Sequence, residues 1–302
     1  MRWNTRSSRI RRRSRPRCCA TWNRSLAGSC AEATTLDRQG AGPEVTRLLL
    51  TNDDGVGAAG LTCLAAALDR AATTQGPVDY QVVAPLHEQS GCGQALTLFR
   101  PLRARTVREG WFSVDGTPSD CVNVGVHALL DRPPDLLVSG INYGVNLGDD
   151  VTHSGTVGAA LEGRLLGIPA IAFSQEYRKA QPADMERAAD LAARAIVSLL
   201  EQGIPDRMLL NVNFPFDPPR GVRIARLGRR PYRNSVVQQD DPRGGSMYWL
   251  VGKPEPERHD DTDAAAVRDG YISITPLSAD LTDREAISEE DGVLPGLVGA
   301  LR

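Results

Sequence analysis

The sequence predicts an α/β protein: a doubly wound, mostly parallel sheet followed by a C-terminal β-hairpin region. Three observations carry that expectation. Short apolar runs alternate with segments of helical periodicity through residues 47–215, the rhythm of strand–helix–strand units. The first run, RLLLTN at 47–52, has consecutive rather than alternating apolar residues, as a strand covered on both faces requires. After residue 220 the apolar residues alternate between Pro- and Gly-containing stretches, which suits antiparallel pairing.

The elements follow in order. GLTCLAAALDRAAT (60–73) spaces Leu61, Leu64, Ala65, Leu68 and Ala71 on one face, so a helix follows the first strand. VDYQVVAP (78–85) is a second strand, stopped by Pro85. SDCVNVGVHALL (119–130) reads as a helix capped by Ser119, with Pro133 and Pro134 beyond its end. DLLVSG (135–140) is a third buried strand, and HSGTVGAALEGRLLGIPA (153–170) a helix terminated by Gly167 and Pro169. AIAFS (170–174) and RMLLNVNFP (207–215) are strands on either side of an amphipathic helix at 184–201. VRIARLG and SMYWLVG (246–252) flank a polar stretch and GYISITPL (270–277) alternates, so all three are expected in antiparallel hairpins.

Composition narrows the function. The 302 residues contain no apolar run of about 18 residues or more, the length a spanning helix needs. Residues 1–47 hold eleven Arg, no Lys and three acids, so they carry +8 while the remainder carries −10. An acidic body lacks the basic face that nucleic acid demands. If its substrate is an anion, it needs a bridging cation. Six cysteines, none in a C-x-x-C pair, lie scattered as in a reducing cytoplasm and are expected to behave as small hydrophobes. Residues 1–46 show no periodicity and no continuous apolar signal region, and are expected to be disordered. Three readings of that extension stand: a basic arm, a transit peptide, or a translation start placed too far upstream.

The stretch LLLTNDDGVGAAG (48–60) fits two templates. Gly55, Gly57 and Gly60 match the dinucleotide fingerprint G-x-G-x-x-G. In that fingerprint bare N–H groups meet a pyrophosphate, and Asp53 and Asp54 would stand beside it. Two unit charges about 4 Å apart repel by about 4 kcal/mol at an effective dielectric of 20. The fingerprint also wants an acid ending the second strand, where this chain has Ala84-Pro85-Leu86-His87 and only then Glu88. A metal reverses the sign. Adjacent carboxylates at a strand end are hard oxygen ligands for Mg²⁺ or Mn²⁺, and the cation then recruits the phosphate that the acids alone would repel. Against this stands a plain solvated Asn-Asp-Asp-Gly turn.

Residues 139–163, SGINYGVNLGDDVTHSGTVGAALEG, crowd six Gly into one loop and helix start after the third strand, bringing backbone close to a ligand. Asn142 offers a neutral carbonyl oxygen to the same cation. Asn146 can donate to a phosphate oxygen. Ser154, Gly155 and Thr156 open a helix, whose N–H groups and dipole attract an anion; simple N-capping is the other reading of the two hydroxyls. Asp149 and Asp150 suit loop organisation better than a second metal pair, and His153 suits a solvent-facing or packing role better than a general acid. Ser90 and Gly91, in EQSGCGQALTL (88–98), reach the same sheet edge after the second strand, where the Ser90 hydroxyl can join the metal shell.

These motifs resemble the SurE family, the stationary-phase survival nucleotidases. TNDDG, the SG turn after the second strand, DGTPSDCV (115–122), the 139–163 stretch, QQDDPRG (238–244) and GYISITPL (270–277) occur in family order over roughly residues 47–285. The resemblance implies a Rossmann-like core over 47–302, with 220–285 as a hairpin and subunit-exchange region serving a homodimer or homotetramer. It implies a phosphatase of nucleoside 5′- and 3′-monophosphates with one Mg²⁺ or Mn²⁺ per subunit. The carried-over metal ligands are Asp53, Asp54, Ser90 and Asn142, with Asp53 and Asp54 as the catalytic carboxylates. Gly91, Asn146, Ser154, Gly155 and Thr156 would hold the phosphate. The chain departs from the pattern at Ala59 (for Pro), Gln89 (for Arg), Gln94 (for Asn) and His153 (for Tyr). Two rivals remain. A haloacid-dehalogenase-type phosphatase needs D-x-D, whereas Asp53 and Asp54 are adjacent. A non-catalytic Mg²⁺-binding phosphoacceptor of the receiver type needs a further Asp ending a later strand, whereas DLLVSG ends in Ser139-Gly140.

Overall fold

Leu48, Leu49 and Leu50 are completely buried, and they alternate between two hydrophobic cores, Leu48 and Leu50 in one and Leu49 in the other. That alternation is the period of a strand with both faces covered. The computed structural model describes residues 46–73, 76–178, 184–233, 236–250, 252–254, 259–288, 297–298 and 300–301. The expected disorder of the N-terminal extension therefore concerns residues that, Thr46 apart, lie outside the described ones.

Along the chain run β1 (Arg47–Thr51), α1 (Ala59–Arg70), β2 (Asp79–Pro85), β3 (Ala104–Arg108), β4 (Trp111–Val114), α2 (Pro118–Val124), β5 (Leu136–Tyr143), α3 (Gly155–Leu165), β6 (Ala170–Gln175), α4 (Met185–Gln202), β7 (Leu209–Phe214), β8 (Val222–Ile224), β9 (Val236–Asp240), β10 (Ser246–Leu250), α5 (Asp263–Arg268), β11 (Ile272–Pro276) and α6 (Arg284–Ser288). Nine strands form one sheet in the order β8-β11-β7-β6-β5-β1-β2-β4-β3. The six from β4 to β7 are mutually parallel, with Leu50 opposite Val82 and Thr51 opposite Ser139. Helices α1 and α4 pack one face, and α2 and α3 the other. The carboxyl ends of β1, β2 and β5 thus open at one edge, the place where such sheets bind ligands.

Four details differ from the sequence-based expectation. Helix α2 begins at Pro118 and its cap is Thr117, not Ser119: the Thr117 hydroxyl accepts from the Asp120 N–H, and Asp120 returns a bond to the Thr117 N–H. Pro118 fits the first helical position because its missing N–H is not needed there. After Val124 this helix continues as a π-helix through Leu129. Strands β3 and β4 form an antiparallel edge, unannounced because ARTVR is charged and wholly exposed. Finally, of the three segments expected in antiparallel hairpins, SMYWLVG alone enters one, as β10 paired with β9. β8 lies parallel to β11 and β11 antiparallel to β7, so both extend the main sheet.

The central position of β1 gives a direct test. Leu50→Ala should lower unfolding free energy by about 2–5 kcal/mol, read from urea denaturation of the metal-free protein; a loss below 1 kcal/mol would contradict burial of both faces of this strand.

Candidate metal and phosphate site

The turn after β1 is shaped before any ligand is considered. The Asn52 amide donates to the Gly55 carbonyl at 2.9 Å, and Gly55 takes φ +100°, which a side chain would resist. Val56 N–H bonds to the Pro85 carbonyl at 2.8 Å and Gln89 N–H to the Asp53 carbonyl at 2.8 Å. These bonds tie the acid turn to the loop that carries Ser90.

Asp53 is 3% exposed. Its Oδ1 accepts the Thr156 hydroxyl at 2.5 Å, linking β1 to the first turn of α3. Gly155 is required for that approach: a Cβ there would lie 2.8 Å from the Asp53 Cβ. Asp54 is half-buried, and its Oδ2 accepts the Tyr143 N–H at 3.1 Å, linking β1 to the end of β5. Asn142 stands just before, and its amide nitrogen donates to the Gly144 carbonyl at 2.8 Å, which leaves its carbonyl oxygen as the group to offer a cation. Ser90 and Gly91 are exposed; the Ser90 hydroxyl donates to Glu88 at 3.0 Å.

The electrostatics are unbalanced. Burial pushes the Asp53 carboxyl above its ordinary range, against hydrogen bonds from Thr156 that favour the charged form, and Glu88 adds to the rise. Burial, then the charge of Asp53, pushes Asp54 up to about 6, against the Tyr143 N–H. Among the described residues, no Lys, Arg or His forms an ion pair with either acid. Two desolvated like charges are costly without a counter-charge. Two carboxylates, a hydroxyl and an amide carbonyl form an all-oxygen donor set, the kind that suits Mg²⁺ or Mn²⁺. No cluster of three or more His, Cys, Asp or Glu side chains fit for a metal occurs among the described residues, so the set depends on the neutral oxygens of Ser90 and Asn142.

The other residues singled out from sequence are also placed. The Ser154 hydroxyl accepts the Val157 N–H at 3.1 Å, so it caps α3. Gly155 and Thr156 then contribute main-chain N–H groups to that first turn. Asn146 is buried in a polar knot: its N–H donates to Asn213, its amide to Ser174, and its carbonyl accepts from the Asn211 and Asn213 amides, all at 2.8–3.1 Å. Asp149 accepts the Arg230 N–H, and Asp150 accepts the Arg230 guanidinium and the Tyr232 hydroxyl; both acids organise the loop. His153 is exposed, and its carbonyl accepts the Gly93 N–H.

Several contributors went unnoticed in the sequence. Asp263, fully buried, accepts from the Gly148, Gly228 and Ala264 N–H groups and so staples the glycine loop to the far side of the chain. Glu162 accepts the Gln94 and Asn123 amides. Asn211 and Asn213 carried a legible signal, two polar residues inside an apolar strand. Asp263 carried none beyond its place after a capping Thr262. Glu88 lies past the strand end where the dinucleotide fingerprint wants an acid, and no local pattern marks it as a charge acting on Asp53 and Asp54.

The raised carboxyl of Asp54 sets a sign. The folded group holds its proton to about pH 6, the ordinary one only to 3.8, so the metal-free fold loses stability as pH rises between those values. Asp54→Asn should therefore raise the melting temperature of the EDTA-treated protein at pH 7.5. Mn²⁺ should stabilise the native protein and not the variant. A variant that melts lower than native in EDTA would contradict an uncompensated charge at this position.

The carboxyl edge of the α/β sheet therefore carries the paired acids, with the oxygens of Ser90 and Asn142 on adjoining loops and the first turn of α3 bonded to Asp53. The chain belongs to the SurE family: the family model described as "Survival protein SurE" matches residues 48–234. It is 48% identical over 237 residues to the 5′-nucleotidase SurE of Syntrophotalea carbinolica, covering 78% of this chain and 92% of that one. It is 47% identical over 259 residues to the 5′-nucleotidase SurE of Deinococcus radiodurans, covering 83% and 94%. The crystal structure of the SurE protein from Aquifex aeolicus superposes with a TM-score of 0.70 at 39% identity, covering 80% of this chain and 96% of that one. Family membership displaces the dehalogenase-type and receiver-type rivals.

Proposed function

We propose that this chain is a divalent-metal-dependent phosphomonoesterase that hydrolyses nucleoside 5′-monophosphates, and 3′-monophosphates, to nucleoside and phosphate. The observation that carries the reading is the Asp53–Asp54 pair, partly desolvated, without a basic partner among the described residues, and bonded through Thr156 to the start of α3. The names of the relatives from Syntrophotalea carbinolica and Deinococcus radiodurans support it.

Asp53, Asp54, Ser90 and Asn142 would hold one Mg²⁺ or Mn²⁺ per subunit. When bound, the cation supplies neutralisation of phosphoryl charge and polarisation of the reacting phosphorus–oxygen bond. The chain supplies the rest. Gly155 presents its N–H to the phosphate at the positive end of α3 and Gly91 completes the anion-binding loops, while Thr156 gives its hydrogen bonds to Asp53 and Asn146, its donors held by Asn213 and Ser174, keeps the glycine loop in shape. Thr156 orients Asp53 and favours its charged form against the opposing effect of burial; the Tyr143 N–H does the same for Asp54. Burial of the pair strengthens each electrostatic contact by excluding water. Gln89 and Glu88, where the family pattern favours a basic stretch, weaken the pull on the anion and shift substrate preference.

The β9–β10 hairpin supports a homodimer or homotetramer. Its ten residues are all exposed, and Val236, Val237, Met247, Tyr248, Trp249 and Leu250 are large and apolar, a patch that marks an interface. The reading places the protein in the cytoplasm. No helix among the described residues is long and apolar enough to cross a membrane.

Two outcomes follow. With AMP and Mn²⁺ the native protein should release phosphate and EDTA should stop it. Asp53→Asn and Asp54→Asn should each cut turnover by more than roughly a hundredfold, beyond what loss of an outer-sphere partner produces; retained activity in both would end the proposal. Trp249→Glu with Leu250→Asp should shift the mass measured by light scattering toward the monomer, whereas an unchanged mass would exclude the hairpin from the interface.

A further inference from the structure

The side chains of Tyr143 and Tyr177 have no part in the roles above. Each is about half exposed, at 47% and 51%. Their rings stack with centroids 5.0 Å apart and planes 23° from parallel, the offset arrangement aromatic pairs prefer. Tyr143 directly follows Asn142, and its main-chain N–H holds Asp54. Gly144, at φ +136°, separates the two rings' backbones: a Cβ at Gly144 would lie 3.7 Å from the Asn142 amide nitrogen and 3.8 Å from the Tyr177 ring. The stacked pair and the candidate cation donors therefore share one rim.

The pair is also anchored. Gly144 N–H bonds to the Gln175 carbonyl at 3.0 Å. The Gln175 amide bonds to the Pro215 carbonyl at 3.0 Å, and the Glu176 carboxylate accepts the Phe216 N–H at 2.9 Å. Arg178 lies over the Phe216 ring at 4.4 Å. Tyr177 thus rides on a segment fixed to the end of β7, and Tyr143 on the end of β5. A rigid aromatic surface beside a phosphate site suits a planar π system, since every base has a face to stack whatever its hydrogen-bonding edge.

We propose that Tyr143 and Tyr177 form the nucleobase subsite of the substrate, a stacking surface that serves any base and favours the larger purines. The proposal rests on the phosphomonoesterase reading, and ribose 5-phosphate separates the two because it carries the same ester without a base. With Mn²⁺, Tyr143→Ala and Tyr177→Ala should each raise KM for AMP by roughly tenfold, and Tyr177→Ala, remote from the acid pair, should leave kcat within about twofold. Turnover of ribose 5-phosphate by Tyr177→Ala should not change, and Tyr177→Phe should retain the native KM for AMP. The lower KM of AMP relative to CMP should vanish in the double alanine variant. Equal losses on AMP and ribose 5-phosphate, or an unchanged KM for AMP in the double variant, would overturn the subsite while leaving the phosphomonoesterase intact. A native protein that hydrolyses neither compound would remove both.

Discussion

One carboxylate held out of water and a half-buried second beside it, with no ion-paired base among the described residues, govern this structure. A buried strand delivers them: the Leu48–Leu50 run fixes β1 at the sheet centre, so the residues after Thr51 must emerge at its carboxyl edge. Packing then prevents their retreat. Thr156 bonds one acid, Tyr143 N–H the other, and Gly155 is small enough to let α3 close over Asp53. The fold spends stability to keep charge in a dry place, a pattern typical of functional sites.

The loops around the pair are stiffened by bonds that reach far along the chain. Asp263 holds Gly148, Asp150 holds Arg230 and Tyr232, and Asn213 holds Asn146. Each contact joins the 139–163 stretch to residues more than 60 positions away. A glycine-rich loop is otherwise expensive to order. These clasps hold it in one conformation.

What could be read from sequence divides along the same line. The β1 strand, the acid pair, the Asn142 turn and the Ser154 cap are local, written in consecutive residues whose apolar period or hydrogen-bonding chemistry speaks for itself. The sequence does not announce β3, because an exposed edge strand needs no apolar alternation, or β4, because WFSV is only four residues long. The hairpin expectation for 222–228 failed because pairing partners are chosen by tertiary packing: β8 found β11 instead of β10. Asp263 and the Tyr143–Tyr177 stack are products of distant segments meeting, and no local pattern marks them. The Thr117 cap was legible in principle, since Thr-Pro-Ser-Asp is a capping-box spacing with Pro in its favoured position.

The central claim is that a hard dication answers the Asp53–Asp54 charge. A crystal of the protein soaked in MnCl₂ and measured for anomalous scattering tests it most directly. The account predicts one manganese peak per subunit, bounded by oxygens of Asp53, Asp54, Ser90 and Asn142. Those four groups diverging, with no peak between them at saturating manganese, would contradict it.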